Sequence, residues 1–222
     1  MTGNSRGSPF DSLAEGYDAW YDTEPGKTIF AMEVACLRPF LHTYPRPYLE
    51  VGVGSGRFAQ ALEIEYGVDP SQVLLEKARA RGINVKRAGG EKLPFPDSSF
   101  GGVLIALTLC FVDDPAQVLR EASRVLTPEG GLVLGLILKE SPWAELYAKK
   151  GKEGHPIYSR ARFFSKDDIE NFLYQSGFYE LRYRSGLFQP PGHSSYHLEQ
   201  PTDGYNSTAG FVAIGSRKQR TK

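Results

Sequence analysis

Glu50-Val-Gly52-Val-Gly54-Ser-Gly56 puts one acid and three glycines into a single turn between an apolar run and residues with helical spacing. Glycine belongs in such a turn because it allows tight reversal and lets a ligand approach bare backbone. In an open α/β sheet the carboxyl end of the first strand borders the crevice where ligands bind. Dinucleotide binders and adenosyl-group binders both use a loop of this kind. The nicotinamide and flavin fingerprint is Gly-x-Gly-x-x-Gly. Counted from Gly52, its third glycine falls on Arg57, whose long side chain obstructs the close helix–strand packing that glycine provides. No Gly-Lys-Ser/Thr ending follows, which excludes a P-loop. Asp69 lies seventeen residues beyond Gly52, at the end of the next apolar segment. A carboxylate in that place can accept both hydroxyls of a ribose. Asp69-Pro70-Ser71 also opens a helix, where an acid opposes the dipole, and the local sequence does not separate the two roles.

The elements that must position these residues follow from periodicity. Residues 27–41 predict a helix, with Ile29, Met32, Cys36 and Phe40 on one face. Strands are expected at 48–53, 64–69, 83–87, 103–109, 132–138, 178–184 and 211–216. Helices are expected after the glycine turn, from Ser71 to Gly82, over 115–126 and over 165–176, with a turn at 127–131. Strands alternating with helices imply crossover connections, hence an α/β fold with a doubly wound, mostly parallel seven-stranded sheet and helices on both faces. Residues 10–21 form an amphipathic stretch short of a clear helix. Residues 140–164 break the alternation and read as a lid insertion. The connection 187–207 is long for a structureless loop, and loops of that length inside a domain are usually functional. Residues 1–9 read as a flexible N-terminus, 10–216 as a single domain and 217–222 as a solvated basic tail.

Composition narrows the class. The chain has 222 residues, 41% hydrophobic and 23% charged, which is ordinary globular usage. Lysine plus arginine (26) balances aspartate plus glutamate (26), which argues against a nucleic-acid binder needing a basic face. Cys36 and Cys110 sit among apolar residues and read as buried thiols of a reducing compartment. The longest apolar run, 103–112, is too short to span a membrane, and residues 1–8 lack the apolar stretch of a signal peptide. These features lead to the expectation of a soluble, cytoplasmic, single-domain protein.

Four segments, 49–58, 67–82, 89–100 and 111–134, together resemble the class I S-adenosylmethionine-dependent methyltransferases, in particular the small-molecule (type 11) group that includes the ubiquinone/menaquinone biosynthesis enzymes. Leu93-Pro-Phe-Pro-Asp-Ser-Ser-Phe100 and Glu121-x-x-Arg124-Val-Leu-x-Pro-x-Gly-Gly131 are distinctive of that group, and Ala14-Glu-x-Tyr17-Asp resembles its leading helix. The resemblance covers about two thirds of the chain. It implies a Rossmann-like fold with strand order 3-2-1-4-5-7-6, the last strand antiparallel. It also implies that Glu50, Gly52, Gly54 and Gly56 hold the methionine end of the cofactor. Asp69 would bind its ribose and the turn at 89–91, through Gly90 and Glu91, would pass over its adenine. Pro70, Ala106, Tyr17 and Tyr21 are expected on the same cofactor surface. Two positions depart from the pattern: Gly89 and Gly101 stand where the family often has aspartate, and a looser hold on adenine is the expected result.

Methyl transfer from a sulfonium is an in-line displacement on carbon, so the protein mainly aligns the reacting atoms and excludes water. A base is needed only where the nucleophile must lose a proton, and no catalytic residue is assigned from sequence. Ala106-Leu-Thr-Leu109 stands where amide and exocyclic-amine enzymes carry Asn/Asp-Pro-Pro-Tyr/Phe, and no Pro-Cys pair marks a cytosine C5 enzyme. For a small-molecule acceptor, Tyr17, Trp20, Tyr21, Trp143, Tyr147 and Tyr158 are candidate pocket walls, with ordinary lid packing as the plainer reading. His155, His193 and His197 are candidate bases, Arg160 and Arg162 a candidate anion clamp, and His/Cys spacing offers no metal site. A cofactor-binding module without turnover and a nicotinamide oxidoreductase remain as alternatives.

Overall fold

Residues 14–219 are described by the computed structural model of the chain. Five parallel strands, β1 (Tyr48–Val51), β2 (Tyr66–Asp69), β3 (Asn84–Arg87), β4 (Phe100–Ala106) and β5 (Leu126–Leu136), are followed by β6 (Phe178–Gly186), β7 (Thr202–Asp203) and β8 (Phe211–Lys218). They form one eight-stranded sheet in the order 3-2-1-4-5-8-6-7. β8 runs antiparallel between β5 and β6. The expected count of seven is corrected by β7, a two-residue edge strand inside the long connection that pairs with Arg184 and Ser185. Two residues are too few for any periodicity to reveal. Counted without it, the remaining strands keep the expected order.

The helices are α1 (Ala14–Trp20), α2 (Gly26–Leu41), α3 (Arg57–Ala61), α4 (Gln72–Ala80), α5 (Pro115–Val125), α6 (Pro142–Lys152) and α7 (Lys166–Gln175). Their starts carry the expected chemistry. Ser71 Oγ accepts from the Leu74 amide at 3.2 Å, Asp114 from the Gln117 amide at 2.9 Å, and Ser165 with Asp168 closes a reciprocal capping box. Side chains of the inner strands alternate between two cores, as the two-residue period of a strand requires. Val103 and Ile105 of β4 and Leu132 and Leu134 of β5 pack with α5 and α7 on one face. Leu104, Ala106 and Val133 pack with α2, α3 and α4 on the other.

Three expectations about elements are corrected. β4 begins at Phe100 and ends at Ala106, after which Leu107 (φ 51°) turns the chain into a 3-10 turn at Leu109–Phe111. The expected turn at 127–131 is a bulge within β5, because Phe100 pairs with Leu126 and Gly102 with Gly131. The tail starts later than expected. Arg217 and Lys218 belong to β8, where Lys218 Nζ donates to the Leu126 carbonyl at 2.8 Å. The expectations for residues 1–13 and 220–222 lie outside the described residues. Among the described residues no helix is long and apolar enough to cross a membrane.

The two distinctive motifs turn out to be struts. Arg124 donates to the Leu93 carbonyl (3.1 Å), the Phe95 carbonyl (2.9 Å), Asp97 (2.8 Å) and Glu121 (2.7 Å), while Glu121 accepts from the Leu93 amide (2.8 Å). A planar guanidinium with five donors suits such a hub. It fixes the loop that runs from the turn at 89–91 into β4.

Candidate active site

A cavity of about 1070 Å³ opens at the carboxyl ends of β1, β2, β4 and β5 and is bordered by α1 and the 140–164 segment. The three loop glycines play different parts. Gly52 (φ +77°) lies against Thr108, so a Cβ there would collide with that side chain. Gly56 (φ +84°) precedes α3 and packs on Ala78 of α4, behind the cavity wall. Gly54 (φ +51°) has no atom within 4 Å of a built Cβ, so it presents bare backbone to open space. Asp69 is buried at the wall. It accepts from the Gly54 amide at 3.0 Å and the Ser71 amide at 2.8 Å, so it pins the loop and opens α4 at once. A carboxylate accepts up to about four hydrogen bonds, so these duties are compatible with receiving a diol.

Glu50 is 1% exposed, lines the cavity, and has Oε2 without a hydrogen-bond partner. Burial pushes its carboxyl well above the ordinary range, and the negative charge of Asp69 adds to the push. Pro70, Gly90, Glu91, Ala106 and Tyr21 also line the space, as does Trp20. Glu91 is held by the Gln117 side chain at its carbonyl (3.2 Å) and by the Asp113 amide at its carboxylate (3.3 Å). Tyr17 falls on α1, and its side chain lies outside the described ones. The expected effect of Gly101 on adenine is corrected: this residue sits at the opposite end of β4, where Pro45 leaves no room for a Cβ.

Trp143, Tyr147 and Tyr158 all border the cavity, and each also packs within the segment. Trp143 is buried and donates its indole N–H to the Gln189 carbonyl at 3.1 Å, linking α6 to the long connection. Tyr147 and Tyr158 stack with ring centroids 4.3 Å apart. The Arg162 guanidinium donates to the Val112 and Asp113 carbonyls and fastens the segment to the loop after β4. Arg160 is exposed at the rim. His155 lines the cavity, but its Nδ1 accepts from the Ile157 (3.3 Å) and Tyr158 (3.4 Å) amides. His193 and His197 lie in the long connection, outside the cavity lining. Cys110 lines the cavity, its thiol pushed up to about 12 by burial. Among the described residues no group of His, Cys, Asp and Glu could hold a metal ion.

Two features escaped the sequence. Asp18 of α1 is buried and accepts from Ser55 Oγ (2.6 Å), Arg57 Nε (2.8 Å) and Arg81 (3.0 Å), while Arg57 also pairs with Asp22 at 2.6 Å. Burial opposes ionisation of Asp18, but the bonds from Arg57, Ser55 and Arg81 outweigh it and hold the carboxyl well below the ordinary range. Arg57, the residue that broke the dinucleotide fingerprint, thus ties α1 to the glycine loop. The second feature is Glu33, in the buried face of α2, 4% exposed and on the cavity lining. Ile29 and Leu37 stand four residues to either side, so an acid in the middle of an apolar stripe was a readable signal.

A doubly wound sheet, a glycine turn after the first strand and an acid ending the second define a nucleoside-cofactor binder of the α/β class. The methyltransferase domain family matches residues 49–134. An S-adenosylmethionine-dependent methyltransferase of Thermotoga maritima, described as a possible histamine N-methyltransferase, is 34% identical with a TM-score of 0.86, over 95% of this chain and 98% of that one. An uncharacterized protein of Mycobacterium tuberculosis is 48% identical over 93% of this chain and 72% of its own length. The malonyl-[acyl-carrier protein] O-methyltransferase of Halorhodospira halophila is 29% identical over 76% of this chain and 59% of its own. The chain belongs to the S-adenosylmethionine-dependent methyltransferases, and it is an enzyme that methylates.

Proposed function

We propose that the enzyme moves a methyl group from S-adenosylmethionine to a small-molecule acceptor by in-line displacement within the cavity over β1, β2 and β4. The observation that carries this reading is the convergence of Glu50, Gly54 and Asp69 at the ends of β1 and β2, on a cavity that Trp143, Tyr147 and Tyr158 also line. The wall fits the cofactor. The unpartnered Oε2 of Glu50 lacks the donor that an ammonium group has, Gly54 leaves space against backbone, and Asp69 presents a carboxylate to a ribose. Gly90, Glu91 and Pro70 would border the adenosine side, with Gly52, Ala106 and Tyr21 toward the methionine end and Gly56 acting from behind. When bound, the cofactor supplies an activated methyl on sulfur. The protein's part is to orient that methyl, hold the acceptor in line with it and keep water out. The cavity volume reaches the top of the usual range for one ligand, about 300–1,000 Å³, which leaves room for a small acceptor beside the cofactor.

The names of the relatives span an N- and an O-methyltransferase, so they do not choose the nucleophile. Balanced charge argues for a small molecule over nucleic acid, and the unpaired thiols Cys36 and Cys110 for a cytoplasmic location. Calorimetric titration with S-adenosylhomocysteine tests the cofactor wall. Asp69→Ala should weaken binding by roughly 1.5–3 kcal/mol, the worth of a hydrogen bond to a charged group. Gly54→Ala should weaken it while destabilising the fold by only about 1–2 kcal/mol, the strain of a Cβ at positive φ. Wild-type affinity in both variants would place the cofactor elsewhere.

A further inference from the structure

Three acids, Glu33, Glu50 and Asp69, stand buried on the cavity lining. The cofactor reading above uses two. Glu50 and Asp69 are electrostatic neighbours at the ends of β1 and β2. Glu33 belongs to a different part of the cavity: its charge is felt by Tyr147 and Tyr158 of the lid segment and by Cys36 on its own helix. Its Oε2 is buried with no hydrogen-bond partner, although leaving such an atom unpaired costs about 1–3 kcal/mol. The stacked pair Tyr147 and Tyr158 lines the same cavity. The lid's cationic side chains on the lining, Lys150, Arg160 and Arg162, are exposed at the rim.

We propose that Glu33 is the acceptor-recognition residue and that the acceptor is a small organic amine, its N–H groups on the Glu33 carboxyl and its carbon body against Tyr147 and Tyr158. The proposal rests on the cofactor reading and adds the substrate class to it. An anionic acceptor would meet a carboxyl, and among the described lining residues the one cation away from the rim, Arg57, is already paired with Asp18 and Asp22. An amine meets both an acceptor for its N–H and aromatic faces that favour a positive group. Burial pushes the Glu33 carboxyl up to about 8, so its ionised form, which a bound ammonium favours, is basic enough to take the proton that the ammonium must give up before its nitrogen becomes a nucleophile. The nitrogen lone pair then forms the new bond to the methyl carbon, and the pair of the breaking C–S bond stays on sulfur as the thioether. The methylated nitrogen leaves as an ammonium with its remaining protons, and the proton taken up by Glu33 returns to solvent, which restores the carboxylate.

The test uses full-length enzyme saturated with S-adenosylhomocysteine and titrated with phenethylamine, tyramine and histamine, against 4-ethylphenol and 3-phenylpropionate as amine-free controls. At least one amine should bind and the controls should not. Glu33→Gln should weaken amine binding by roughly tenfold or more and leave S-adenosylhomocysteine affinity within about twofold, since a residue absent from the cofactor wall should not move it. Glu33→Met, of similar volume, should show the same loss with a thermal midpoint at or above wild type, which a structural carboxyl would not give. Undiminished amine binding in either variant, binding of the controls as strongly as the amines, or binding of none of the amines would overturn the proposal and leave the cofactor reading standing. Failure of S-adenosylhomocysteine to bind the wild type would instead remove the cofactor reading, and the proposal with it.

Discussion

A carboxyl buried without a partner makes stability depend on pH in a definite direction. Glu33 is pushed up to about 8 in the folded protein by burial, from an ordinary value of 4.5. Between those values the folded form holds a proton that the unfolded chain releases, so stability falls as pH rises through that window and the penalty is complete above about 8. Glu50 is raised in the same direction. The groups facing Glu33 do not titrate there: Cys36 is pushed up to about 12 by burial, Tyr147 and Tyr158 are raised by burial, and Arg184 of β6 acts on Cys36. Glu33→Gln should therefore match the wild-type thermal midpoint near pH 4.5 and exceed it increasingly toward pH 8. A midpoint difference that does not change with pH would mean the carboxyl is paired. At this scale the glycine loop and Asp69 were legible, because their spacing is local and each residue type has a backbone or acceptor reason to be there. The division of labour among Gly52, Gly54 and Gly56 was not. It depends on what faces each one, and Thr108 and Ala78 arrive from distant parts of the chain.

Elements were legible where they obey one period over several turns. α2, α4, α5 and α7 lie within a residue or two of their expected bounds, and the inner strands read as apolar runs because both faces are covered. The β5 bulge and β7 were not legible, since a bulge needs the register of its neighbour and a two-residue strand has no pattern. The seat of α1 was hidden for a similar reason: Asp18 meets Arg57 and Arg81 across 39 and 63 residues of sequence. This tie should matter to binding, because Ser55 and Arg57 belong to the same turn as Gly54. Asp18→Asn is expected to lower stability by roughly 1.5–3 kcal/mol at neutral pH and to weaken S-adenosylhomocysteine binding. Asp18 is held below its ordinary value of 3.8, so its contribution is fully present above about pH 4 and is lost as pH falls below that. Thermal unfolding between pH 2 and 7 checks this, and a variant whose deficit is unchanged at pH 2 would contradict the assignment.

For the whole molecule, the sheet, its two cores and the α1 and 140–164 segments serve to set one cavity at the carboxyl ends of the inner strands. The distinctive motifs around Leu93 and Arg124 stabilise that frame from outside the cavity lining, while helix α6 and the long connection are joined through Trp143. A crystal structure of the enzyme with S-adenosylhomocysteine tests this account most directly. The ribose hydroxyls should lie within hydrogen-bond distance of the Asp69 carboxylate, the amino acid end beside Gly54 and Glu50, and the sulfur should face the space between Glu33 and the Tyr147–Tyr158 pair. A ligand bound away from Asp69 and Gly54, or with its sulfur turned from that space, would contradict it.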